Sequence, residues 1–254
     1  GCQTEKEPTK GTSSPFSCMG GGFLLRLAAL VVLSPCILGF AVPPVCMTSP
    51  PFKVLVLHGK GDTRENFGSV LQSLQDGLKK SPTGREVQWD FLTAPHEIAP
   101  NRFAWWTLPP GIRSFDATEY IGIDESFKLI EQHWASQGPY DCILGHSQGA
   151  IILSVILAKA SLEGYPVKPP YNILCGAAWP KPFESIINKM GEGGAGVKTL
   201  HSYSPNDTIN PPEHAKRVQE LCGDGASAYV HGGGHIVPMD AEATQAFSAF
   251  LFPE

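Results

Sequence analysis

What the sequence lacks narrows it first. Charged residues make up only 17% of the 254-residue chain, too few for a disordered polymer or a long coiled coil. Lys and Arg number 19 against 24 Asp and Glu, a formal net charge of −5, so there is no electrostatic footprint for nucleic acid. No G-x-x-x-x-G-K-[ST] phosphate loop occurs. No two cysteines stand in a CxxC or other metal-ligand spacing. Neither a nucleotide loop, a zinc site nor a disulfide framework is therefore expected. No repeat with a period of about 20–50 residues is visible, which excludes solenoids and propellers.

Long apolar runs are also missing. The most apolar stretch is Leu24–Val45, yet its uninterrupted part, Leu27–Leu33, is short and Pro35 breaks it. A spanning helix needs about 20 apolar residues, so no stable membrane span is expected in the domain. Residues 1–51 read as a detachable leader, either a targeting peptide or untranslated or disordered sequence. With a start at Met19, Arg26 is the basic flank and Gly39–Ala41 the cut region, which implies a secretory or organelle-targeted protein. With a start at Met47, a cytoplasmic protein is expected. Four of the seven cysteines lie in this segment. The other three, Cys142, Cys175 and Cys222, leave an odd number in the body, and two of them sit in apolar runs where free cysteine acts as a small hydrophobe.

What is present from Phe52 onward is alternation. Lys53–Leu57, Val87–Leu92, Tyr140–Leu144, Tyr171–Ala177, Val197–Tyr203 and Ala228–Val230 read as strands. Between them lie segments with apolar residues at helical spacing: Asn66–Lys79, a stretch through Phe127 and Trp134, Gln148–Leu162, Pro212–Leu221 and a last helix capped by Asp240. Strands separated by helices imply crossover connections. The fold class is thus α/β over residues 52–254, with a mostly parallel central sheet, helices on both faces, a small lid loop and no large cap domain.

Gly145-His146-Ser147-Gln148-Gly149 is a G-x-S-x-G with a strand running in and a helix running out. Such a nucleophile elbow is a strained turn in which the serine stands at the carboxyl end of a central strand. Glycine is needed two residues before and two after, because the chain there passes too close for side chains. Serine requires a base within hydrogen-bond reach and an acid to orient that base. The order expected on this fold is serine, acid, histidine. Asp207 follows a strand in the turn Ser204-Pro205-Asn206-Asp207, with Asp224 and Asp240 as rivals. His235 follows in His231-Gly232-Gly233-Gly234-His235, with His231 as the competing base. For the oxyanion, one N–H comes from Gln148, and the other from Lys60 or, as runner-up, Gly61 in the loop after the first strand.

Two further segments bear on specificity. Asn101–Ser126 is a long irregular stretch holding Trp105 and Trp106. Stretches of this kind serve as lids or binding loops, and the two tryptophans are candidates for an acyl-binding wall, against ordinary packing as the alternative. Gly191–Gly196 matches G-x-G-x-x-G but precedes a strand rather than opening a helix, so it reads as a flexible loop. Asn206-Asp207-Thr208 is a glycosylation sequon; a glycan there would crowd Asp207, which weighs against an ER-exposed protein.

The segments LVLHGKGDTRENF, GPYDCILGHSQGA, SPNDTINPP and HGGGHIVP together resemble the FSH family of serine hydrolases, in particular its ovarian-cancer-associated hydrolase 2 group, within the α/β-hydrolase superfamily. The resemblance covers nearly all of 52–254. It implies an α/β-hydrolase fold, esterase or thioesterase action on a small-molecule acyl substrate, and no cofactor. It lands on Ser147, Asp207 and His235. His146 departs from the family pattern, where many members carry an aromatic residue, and that position can line the pocket. The competing functions are a non-catalytic ligand receptor on the same scaffold, or a small peptidase. Oligomeric state is not readable from the sequence.

Overall fold

A computed structural model describes residues 49–193 and 197–253. The leader expected over residues 1–51 lies outside the described residues except for its last three.

Six strands form one all-parallel sheet: β1 (Phe52–Leu57), β2 (Val87–Leu92), β5 (Cys142–His146), β6 (Tyr171–Cys175), β7 (Lys198–Tyr203) and β8 (Ala226–Val230). Their order across the sheet is β2-β1-β5-β6-β7-β8. β3 (His96–Ala99) and β4 (Arg102–Ala104) make a separate antiparallel hairpin. The order reverses at one place: from β1 the chain steps outward to β2, then returns across β1 to continue with β5 in the other direction. Loops leaving β1 and β5 diverge there, and open α/β sheets hold their ligands in that crevice.

The central strands are apolar on both sides because both faces are covered. Leu55, Leu57, Ile143 and Leu174 face α3 (Ile123–Gln137), α4 (Gln148–Leu162) and α5 (Glu184–Gly193). Val54, Val56, Cys142, Leu144, Ile173 and Cys175 pack against α1 (Arg64–Val70), α2 (Gln72–Gly77) and α7 (Ala241–Leu251). α4 is buried all round from Gln148 to Ala158, which explains why it is apolar throughout rather than striped. α6 (Pro212–Leu221) carries proline in its first turn, where its missing N–H costs nothing. Asp240 caps α7 by accepting from Ala243 N–H at 2.8 Å. No helix among the described residues is long and apolar enough to cross a membrane.

Two expectations need correction. The helix expected over Asn66–Lys79 is two helices, α1 and α2, with a break at the buried Leu71 (ψ 12°). Gly191–Gly193, expected in a flexible loop, instead ends α5. Ile187 and Met190 are fully buried on that helix, and their three-residue spacing holds a helical turn that the glycines alone would not favour.

Candidate active site

Ser147 stands at the junction of β5 and α4 with φ 53° and ψ −116°. A non-glycine residue there stores on the order of 1–3 kcal/mol, tolerated only where the surroundings hold it. Its own N–H donates to Cys175 O at 2.9 Å, which ties the turn to the neighbouring strand. The flanking glycines are sterically required. A Cβ on Gly145 would lie 2.4 Å from Gly149 O, and one on Gly149 would lie 2.0 Å from Leu57 O.

His235 and Asp207 meet. His235 Nδ1–H donates to Asp207 Oδ2 at 2.7 Å, with the carboxylate side chain 1% exposed and the imidazole 16%. Oδ1 of the same carboxylate accepts from Ile209 and Asn210 N–H, both at 2.8 Å. The carboxylate is thereby fixed by three donors, and His235 is left with Nε2 as its free nitrogen. Both loops are stapled together: Ser204 Oγ accepts from Asn206 and Gly234 N–H at 3.1 Å each, and Asn206 Nδ2 donates to Gly232 O. Gly176 (φ 59°) lies beneath this pair, where a Cβ would sit 3.2 Å from the His235 ring. No hydrogen bond joins the Ser147 hydroxyl to His235 in this structure, although both line one cavity. Such bonds are commonly loose without substrate.

The rivals are occupied elsewhere. His231 Nδ1 accepts from Gly233 N–H, and its ring stacks on Tyr229. Asp240 is the α7 cap, and Asp224 sits in the 3₁₀ turn Gly223–Gly225. Gly61 N–H donates to Phe103 O at 2.6 Å, so it is spent. Among the described residues, the N–H groups of Lys60 and Gln148 meet no acceptor, and both residues border the cavity.

The cavity measures about 540 Å³ and is lined mainly by apolar side chains, including Phe67, Leu71, Leu108, Ile151, Val237 and Met239. Four aliphatic residues at its mouth, Val70, Ile112, Ile209 and Ile236, are 44–50% exposed. His146 lies in the wall, its ring stacked on Phe67 (5.7 Å between centroids) and tilted against His235 (5.0 Å). Burial pushes its imidazole down to about 3, and the neighbouring His235 ring adds to this, against smaller opposing effects of the His235 main chain and the Asp207 carboxylate. His146 is therefore neutral.

Of the two roles open to Trp105 and Trp106, an acyl wall or ordinary packing, the structure shows packing. Both are fully buried away from the cavity. Trp106 stacks on Tyr120 (4.2 Å), and Trp105 packs on His58 (5.4 Å) and donates from Nε1 to His58 O at 2.8 Å. An indole gains most when its whole surface leaves water and its N–H finds a partner, and for Trp105 the interior supplies both. Leu108 and Ile112 of the same segment reach the cavity instead.

His58, Ser204, Gly176 and Asn210 escape sequence reasoning. His58 Nε2 accepts from Ala94 N–H at 3.0 Å, so its Nδ1–H donates to Gly59 O at 2.6 Å, and burial holds its pKa below the usual histidine value. Asn210 Nδ2 donates to Gly176 O at 2.7 Å. The one available signal was position: Gly176 directly follows a strand, and Asn210 lies three residues past Asp207.

The description of FSH1 serine hydrolases matches residues 47–247. The chain belongs to this family. It is accordingly a serine hydrolase. Among its relatives, Esterase CG5412 of Drosophila melanogaster is 28% identical over 213 residues, covering 78% of this chain and 73% of the relative. Esterase OVCA2 of Danio rerio is 25% identical over 233 residues, covering 81% and 98%. Among solved structures, Zea mays acyl-protein thioesterase 2 superposes with a TM-score of 0.57 at 20% identity, over 80% of this chain and 95% of that one. This last likeness establishes the α/β-hydrolase fold.

Proposed function

We propose that this family member cleaves carboxylic esters or thioesters of acyl chains through an acyl-Ser147 intermediate. The observation that carries the reading is the fixed Asp207–His235 pair opening onto the same apolar cavity as the strained Ser147. Ser147 Oγ attacks the acyl carbonyl while His235 Nε2 takes its proton. Asp207 holds Nδ1–H and stabilises the imidazolium that forms. The oxyanion is bound by Lys60 and Gln148 N–H, each such donor being worth on the order of 10²–10³ in rate. Collapse expels the alcohol or thiol, which takes the proton from His235. Water, deprotonated by the same nitrogen, then releases the acid and regenerates the hydroxyl.

The names of the relatives, both esterases, support the same bond type. The test is turnover of p-nitrophenyl acyl esters and labelling by a fluorophosphonate. Both are expected in the parent protein and absent in a folded Ser147→Ala variant. Turnover retained by that variant removes Ser147 from the mechanism, and an unlabelled parent protein favours a ligand receptor.

A further inference from the structure

The two proposed oxyanion donors come from different connections, one after β1 and one after β5, which already meet where Gly149 passes close to Leu57 O. The segment Phe103–Trp106 touches both. On the β1 side, Phe103 O accepts from Gly61 N–H at 2.6 Å and Trp105 Nε1–H donates to His58 O at 2.8 Å. On the β5 side, Trp105 N–H donates to Gln148 Oε1 at 3.0 Å and Gln148 Nε2 donates to Trp106 O at 3.2 Å. Ser126 Oγ donates to Trp105 O from α3. The Gln148 side chain and the Trp105 main chain are both buried, so these bonds are shielded from competing water.

We propose that Phe103–Trp106 is a clamp that sets the distance between the Lys60 and Gln148 amides, with the Trp105 indole and the Gln148 carboxamide as positioning residues. The clamp rests on the reading of those amides as the oxyanion hole. It gives the buried tryptophan pair a task, and it gives Gln148 two: its main chain faces the substrate while its side chain holds the opposite loop in register. Preorganised donors are effective because they need no rearrangement as charge develops, and a misplacement of about 1 Å can cost about 100-fold.

Three variants test this. Gln148→Met keeps the length but makes neither bond. Gln148→Glu keeps the acceptor for Trp105 N–H and loses the donor to Trp106 O. Trp105→Phe loses the indole N–H together with part of the buried ring that packs on His58. Expected for Gln148→Met is a fall in kcat of about 10- to 100-fold, with KM within about twofold and the midpoints of the pH–rate profile unmoved, since Asp207 and His235 are untouched. Affinity for an acyl trifluoromethyl ketone, which forms the oxyanion, should fall by the same factor as kcat/KM. Gln148→Glu and Trp105→Phe should lie between parent and Gln148→Met. A parent enzyme that turns over esters, alongside a Gln148→Met variant with unchanged kcat, overturns the clamp alone. So does a loss in which KM rises and ketone affinity does not follow. A parent protein without any turnover overturns the hydrolase reading and the clamp together.

Discussion

Acidification should weaken this fold through His201. The residue lies on β7 with no exposed surface. Its Nε2 is 3.2 Å from Thr199 Oγ1 and its buried Nδ1 has no partner. Burial pushes the imidazole down to about 3, against 6.5 ordinarily. In the unfolded chain the ring protonates near its ordinary value, so below that pH the unfolded state binds a proton that the folded state refuses. The stabilising contribution is therefore complete above about pH 6.5 and is lost as pH falls toward 3. The slope is about 1.4 kcal/mol per pH unit, so at pH 5 the loss from His201 is about 2 kcal/mol. His146, also pushed down to about 3, adds a similar loss, and the sum is a large share of the roughly 5–15 kcal/mol that holds a typical domain together. Urea unfolding followed by circular dichroism at pH 7 and pH 5 measures it. Because carboxylates also titrate, the informative quantity is a double difference: His201→Gln should lose about 2 kcal/mol less between those pH values than the parent. Equal pH dependence in the two proteins would refute the assignment of a neutral buried imidazole.

Two further outcomes follow from the site. Asp207→Asn should leave the melting curve near the parent's while kcat drops by about 10⁴, since the amide favours the wrong His235 tautomer; a loss under tenfold would mean that another group orients the ring. Ser147→Gly should melt at a higher temperature than Ser147→Ala, because glycine adopts the positive φ without the cost that alanine retains. The reverse order in calorimetry would show that the elbow stores no strain.

The elbow is legible in the sequence because steric demand, strand and helix patterns all converge on Gly145–Gly149. Asp207 and His235 are legible because chain order and loop position restrict them to few candidates. The role of the tryptophans stays open in the sequence for a physical reason: composition reveals that Trp105 and Trp106 are large and apolar, but not which way an irregular segment turns them. Trp105 is held by acceptors at His58 O and Gln148 Oε1, residues about 45 positions away in either direction along the chain, and Trp106 by its stacking on Tyr120. The hairpin β3–β4 is hidden likewise, because strands of four and three residues are too short to display a period. The helical end of α5 is obscured by glycines whose burying partners lie upstream.

The ring of aliphatic residues at the cavity mouth has an evolutionary consequence. Val70 ends α1, while Ile112, Ile209 and Ile236 lie in three separate loops, and each is about half in solvent, whereas the side chains of Asp207 and His235 are 1% and 16% exposed. Exchanging one of the four changes what is admitted at the cost of a surface substitution, usually within about 0.5 kcal/mol. The scaffold thus separates a chassis that resists change from a doorway that can be refitted one residue at a time, which lets one ancestral catalyst diversify its diet without passing through an unfolded intermediate.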